Sequence, residues 1–158
     1  IQKNPIDDPK GRCRLRWNKI EYKPGRLEAV ARKDGKVVAR HALETTGEAV
    51  RLTAQPDNNH WQADGTDLQH IRIAAVDKKG RQVRTAQGTV HFAVEGDAKI
   101  VAVVSGDHNS NEAHVATHRD LYNGTVTVIL RAGRTPSPVT LTATCEGMKT
   151  AVAKLRIQ

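Results

Sequence analysis

At 158 residues, 38% of them hydrophobic, the chain can build one full core and part of a second. No apolar run approaches the ~18 residues of a membrane-spanning helix. The 25 Lys/Arg exceed the 17 Asp/Glu for a net charge of +8, yet there are only two Trp, two Tyr and one Phe. Single-strand nucleic-acid binders need aromatic stacking platforms, and neither a recognition-helix pattern nor zinc-finger spacing is present. The composition therefore argues against nucleic-acid and membrane partners. It leaves a basic surface that is solvated or faces an acidic neighbouring domain. The charge is uneven: 12 Lys/Arg against 7 Asp/Glu lie in residues 1–48.

Residues 1–10 are polar, hold Pro5 and Pro9, and read as a loop. Arg12 to Trp17 then alternates with period two, the mark of a half-buried strand. Cys13, Leu15 and Trp17 share one face, and Arg12, Arg14 and Arg16 share the other. Tyr22–Gly25 predicts a turn and Leu27–Ala31 a strand. Lys33-Asp34-Gly35-Lys36 predicts a tight hairpin, because Gly tolerates positive φ, and Val37–Leu43 pairs back. Thr45–Glu48 reads as the interdomain joint. Beyond it seven strands follow: Val50–Ala54, His70–Val76, Thr89–Glu95, Lys99–Val104, Thr125–Arg131, Val139–Cys145 and Ala151–Ile157. Inward positions include Ile71, Ile73, Ala75, Val90, Phe92, Val94, Val126, Val128 and Leu130, with His91 outward.

This rhythm of short strands and turns is the all-β sandwich pattern. The predicted organisation is an immunoglobulin-like sandwich over residues 49–158, preceded by the last strands of a second, incomplete immunoglobulin-like domain over residues 1–48. About three strands cannot bury both faces of a sheet, so the expectation is that the chain belongs to a longer parent.

Ser105 to Asp120 breaks the rhythm, and a loop this long in a compact domain is usually functional or disordered. It carries Asp107, His108, Asn109, Asn111, Glu112, His114, His118 and Arg119. His114 and His118, four apart, would share a face if the segment were helical, with His108 or Asp107 as a third zinc ligand. Asp107, Asn109, Asn111 and Glu112 resemble part of a calcium loop but lack its Gly and distal Glu. The favoured reading is that these groups satisfy loop backbone or form an interdomain or rim surface, with no metal and no cofactor. Arg12, Arg14 and Arg16 are a candidate docking face, since alternation aims all three guanidinium groups one way.

Other chemistry is sparse. There is no G-x-S-x-G, no phosphate-cradling Gly-rich loop and no H-E-x-x-H. Asp64 and Asp67 flank a turn and are expected to bond their own backbone. Cys13 and Cys145 sit among apolar positions as small hydrophobes, with a disulfide between them unsupported. Trp61 and Tyr122 are the aromatics left over for a sugar-binding platform once Trp17 and Phe92 are placed in cores.

Several stretches resemble the C-terminal region of bacterial glycoside hydrolase family 2 enzymes of the β-galactosidase and β-glucuronidase type. They are Arg12 to Trp17, Tyr22-Lys-Pro-Gly-Arg-Leu27, Ala31-Arg-Lys-Asp-Gly-Lys-Val-Val38 and Thr45-Thr-Gly47. In that family a W-x-V-x-Y-x-P-G-x-L-x-A-V-A-Y-x-D-G-K run forms the later strands of an immunoglobulin-like domain. The remainder resembles a bacterial immunoglobulin-like module, through Ala63–Leu68, Val76–Gly80, Val90–Gly96, Gly106–Glu112, Tyr122–Gly124 and Val139–Ala143. The resemblance implies that the catalytic glutamates lie in a (β/α)8 barrel elsewhere in the parent, since no catalytic motif maps onto this sequence. It further implies a non-catalytic accessory role, contacts with the barrel and other domains of the same chain or with a second subunit, carbohydrate met only through the parent, and a periplasmic or exported location. The alternatives are an immunoglobulin-like adhesin or stalk module and a carbohydrate-binding module.

Overall fold

A computed structural model describes residues 20–158. The expected strand over Arg12–Trp17, with its docking arginines Arg12, Arg14 and Arg16 and with Cys13, lies outside the described residues. The chain divides into two compact units, Ile1–Thr45 and Thr46–Gln158. Thr46 to Glu48, assigned by sequence to the first domain, thus fall in the second unit, where the Gly47 N–H donates to Asp77 Oδ2 at 3.0 Å.

In the first unit β1 (Arg26–Lys33) and β2 (Lys36–Glu44) form an antiparallel hairpin. Asp34 at φ 49° and Gly35 at φ 77° make its two-residue turn, the doubly left-handed geometry that matches strand twist. The register pairs Leu27 with Leu43 and Ala29 with His41 on one face. On the opposite face Glu28 sits 3.2 Å from Arg26 and 3.4 Å from Arg40. These exposed ion pairs set register more than stability. Leu27 and Leu43 remain 62% and 61% exposed, as expected of a two-stranded ribbon with one apolar face.

The second unit holds eight strands: β3 (Arg51–Pro56), β4 (Leu68–Val76), β5 (Thr89–Glu95), β6 (Ala98–Val104), β7 (His118–Asp120), β8 (Thr125–Ala132), β9 (Pro138–Thr144) and β10 (Ala151–Arg156). Two four-stranded antiparallel sheets form, in the orders β3-β4-β8-β6 and β10-β9-β5-β7. The expected all-β sandwich is therefore observed, with one strand more than the sequence pattern gives. Alternation explains the core: Ile71, Ile73 and Ala75 of β4 and Val126, Val128 and Leu130 of β8 meet Val90 and Phe92 of β5 and Val139, Leu141 and Ala143 of β9. Ile71, Ile73, Leu130 and Leu141 are all 0% exposed, each worth about 1.5–3 kcal/mol in burial. Where β3 meets β10, Leu52 N–H donates to the Lys149 carbonyl and Lys149 N–H to that of Val50, at 2.9 and 3.0 Å.

Trp61 departs from its expected place as a surface platform. It is 2% exposed and part of the core, with Nε1 donating to the Asp67 carbonyl at 3.2 Å. Its backbone is tied to the C-terminal residue, Gln158 N–H to Trp61 O at 2.8 Å. Nothing in the polar sequence around it signals burial, because the tie comes from Gln158, almost a hundred residues away.

Candidate functional site

The segment between β6 and β7, residues 105–117, carries most of the nominated residues, and the structure sorts them into two groups. Asp107 Oδ1 accepts from the Asn109 N–H at 2.9 Å, an Asx turn that shapes the tip. His108, Asn109 and Asn111 are exposed. Val115, also on this segment, is 79% exposed.

Glu112 and Arg119 are used internally, where both bond backbone groups of the loop. Arg119 lies on β7 and is 1% exposed. Its Nε is 3.3 Å from Glu112 Oε2 and donates to Ser105 Oγ at 3.3 Å. Its Nη1 donates to the Glu112 backbone carbonyl at 2.9 Å. Glu112 Oε1 accepts from the Asp120 N–H at 3.0 Å, and Oε2 from the Ser110 hydroxyl at 2.8 Å. A buried guanidinium thus staples both ends of the loop through one carboxylate. Arg119 is buried because β7 alternates, and its turn toward the sandwich interior is dictated by its pairing with Val90 of β5.

The histidines do not converge as their spacing suggested. His114 is exposed, with Nδ1 3.4 Å from the Val103 carbonyl. His118 is on the outer face of β7, opposite His91 of β5. The segment is not helical, so a four-residue spacing confers no shared face. Among the described residues no group of three or more His, Cys, Asp or Glu side chains is placed to hold a metal ion.

Asp64, Asp67 and Asp77 are held by hydrogen bonds within the domain. Asp64 Oδ1 accepts from the N–H groups of Thr66 and Asp67, both at 2.7 Å, which holds its carboxyl below the usual range. Asp67 accepts from Gln62 and Leu68, so the sequence reading of this turn holds. Asp77, 2% exposed, accepts from the Arg81 guanidinium at 2.6 and 2.9 Å and from the N–H groups of Gly47, Lys79 and Arg81. The guanidinium bonds above all hold its carboxyl well below the carboxylate range. Cys145 is a buried free thiol, and burial pushes it up. Two shallow grooves of about 480 Å³ each contain a single carboxylate, Asp64 in one and Glu48 in the other. Neither offers the carboxylate pair that most glycoside hydrolysis requires.

The fold is thus an antiparallel β-sandwich whose longest loop is held from within by Arg119 and Glu112. Comparison with known proteins gives its family. The model of glycoside hydrolase family 2 C-terminal domain 5 matches residues 52–154, and a domain of unknown function matches residues 2–39. The chain belongs to the glycoside hydrolase family 2 C-terminal domain 5 family. It is 32% identical over 137 residues to a β-galactosidase of Bacteroides ovatus, covering 87% of this chain and 16% of that protein. It is 28% identical over 139 residues to a β-glucuronidase of Formosa agariphila, covering 85% of this chain and 14% of that protein. The crystal structure of a glycosyl hydrolase family 2 member from Bacteroides cellulosilyticus superposes with a TM-score of 0.85 at 29% identity, over 88% of this chain and 18% of that one. The chain therefore spans less than a fifth of the length of each of these relatives.

Proposed function

We propose that this chain is the non-catalytic C-terminal accessory region of a family 2 glycosidase acting on terminal β-glycosidic bonds, of the β-galactosidase or β-glucuronidase type. The observation that carries the reading is the alignment itself: this chain is matched almost end to end, yet it fills under a fifth of enzymes with those activities. The role is mechanical. The sandwich packs against neighbouring domains of the same polypeptide or a second subunit, and the stapled loop presents His108, Asn109 and Asn111 to a neighbour or to the rim of the active site. Export to the periplasm or beyond belongs to the same reading.

The test is direct. The purified chain should release no p-nitrophenol from p-nitrophenyl β-galactoside or β-glucuronide. The polypeptide captured from source cells by an antibody against this chain should be several-fold larger than 17.3 kDa and should hydrolyse one of the two. Turnover by the purified chain, or capture of an inactive polypeptide of its own size, would overturn the proposal.

A further inference from the structure

The sandwich brings together two imidazoles that are 27 positions apart in sequence. His91 and His118 are directly paired across β5 and β7, and their ring centroids lie 5.8 Å apart with planes inclined at 35°. Both side chains are exposed on the outer face of the sheet, and among the described residues no other side chain bonds to either ring. Strand β5 is held on its far side by β9, where His91 pairs with Thr144, so the backbone beneath His91 is fixed by ladder bonds on both flanks.

We infer that His91 and His118 form a two-histidine chelate for a zinc-class divalent transition-metal ion. Zinc binds imidazole nitrogen at about 2.0–2.1 Å. Adding the ~1.2 Å from that nitrogen to the ring centre puts each centroid about 3.2 Å from the metal. Two such ligands at the tetrahedral angle bring their centroids to about 5.2 Å. The observed 5.8 Å is about 0.6 Å wider, a gap that side-chain rotation of two exposed rings would close. Neutral imidazole is a borderline-soft ligand that suits zinc, nickel and copper and not the hard magnesium or calcium ions. The other ligand positions go to water. Asp120 lies two residues along the same face of β7, hydrogen-bonded by the Thr89 hydroxyl, and its carboxylate adds negative charge beside the pair.

The physical consequence concerns the loop. Strand β7 has three residues and lies at a sheet edge, so it is a weak point of the ladder. A metal clamped between β5 and β7 fastens the C-terminal end of the 105–117 segment on the outer face, while Arg119 fastens it from within. An ion that binds the folded state alone stabilises it by mass action. The inference is independent of whether the parent is a glycosidase.

The experiment is calorimetric titration of the full chain with Zn²⁺ alone, near pH 7.5, alongside the melting temperature with and without the ion. A binding event weakened at least tenfold in both His91→Ala and His118→Ala, and unaltered in His108→Ala and His114→Ala, is expected, with Mg²⁺ giving no heat. The zinc-dependent rise in melting temperature should vanish in the same two variants. Both replaced side chains are exposed, so the metal-free melting temperatures should match that of the parent chain and separate lost binding from lost folding. Zinc binding that is unchanged in both variants, or absent below about 1 mM, overturns the inference.

Discussion

The Arg119–Glu112 staple makes a prediction in which the order of two effects matters more than their size. Removing one member of a buried ion pair strands the other, at a cost of about 3–5 kcal/mol when both are dry. Here the two members are unequal. The Arg119 side chain is 2% exposed and that of Glu112 is 29% exposed. Glu112→Ala leaves a guanidinium enclosed in the sandwich with only the Ser105 hydroxyl and a backbone carbonyl as acceptors. It also removes the acceptor for the Asp120 N–H. The partial exposure of the pair lowers the estimate to about 2–3 kcal/mol. Arg119→Met fills a similar volume and leaves a carboxylate that water can still reach, so it should cost less than Glu112→Ala, about 1–2 kcal/mol.

The double variant tests this most sharply. Adding Arg119→Met to Glu112→Ala removes the stranded charge, so the pair should be more stable than Glu112→Ala alone by about 1 kcal/mol or more. Urea unfolding followed by Trp61 fluorescence in a Trp17→Phe background reports on the second unit alone, since Trp61 belongs to its core. A double variant as unstable as the sum of its singles would refute the reasoning, because the two side chains would then be acting independently. So would an Arg119→Met cost exceeding that of Glu112→Ala.

Two further outcomes follow from backbone and charge. Gly124 sits at φ +70° beside Asn123 at φ 51°, and a Cβ there would collide with the carbonyl oxygen of Val83; Gly124→Ala should therefore destabilise by about 3 kcal/mol or more, measured by the urea midpoint, whereas Asn123→Gly should change it little. Asp77 gives a pH signature: its folded pKa is depressed, so its contribution is complete above the unfolded carboxylate value of about 3.9 and is lost as pH falls through the lower folded value. The stability gap between the parent chain and Asp77→Asn should hold constant from pH 7 to about 5 and narrow progressively below about 4, and a gap that widens on acidification would contradict the assignment.

The strands of the sandwich were legible because each carries its own period-two signal. Val126-Thr127-Val128-Ile129-Leu130 and Val139-Thr140-Leu141-Thr142-Ala143 announce their buried faces without reference to any partner. The same holds for the Asp34-Gly35 turn and for the backbone bonds of Asp64. What escaped is whatever depends on pairing between distant segments. Strand β7 is three residues long, too short for alternation to register, and exists because β5 offers an edge. Once it is paired, its middle residue must face inward whatever its polarity, and that residue is Arg119. A charged side chain in a polar loop reads as surface, so neither its burial nor its carboxylate partner was visible. Trp61 was misplaced for the same reason, since Gln158, which ties its backbone, lies far away in sequence.

That sorting bears on how the loop can serve the proposed accessory role. A flexible loop of this length would lose much of any contact energy to ordering, about 1–2 kcal/mol for each residue's backbone. In this domain the cost is met during folding, by Arg119 and Glu112 inside and by the Asx turn of Asp107 at the tip. The groups left over, His108, Asn109 and Asn111, are exposed polar side chains presented on a backbone already in place. They are suited to hydrogen bonding with a neighbouring surface. The consequence is an ordering of effects at any contact the loop makes. Truncating an exposed Asn should weaken that contact and leave the stability of this domain unchanged, whereas breaking the staple should do both.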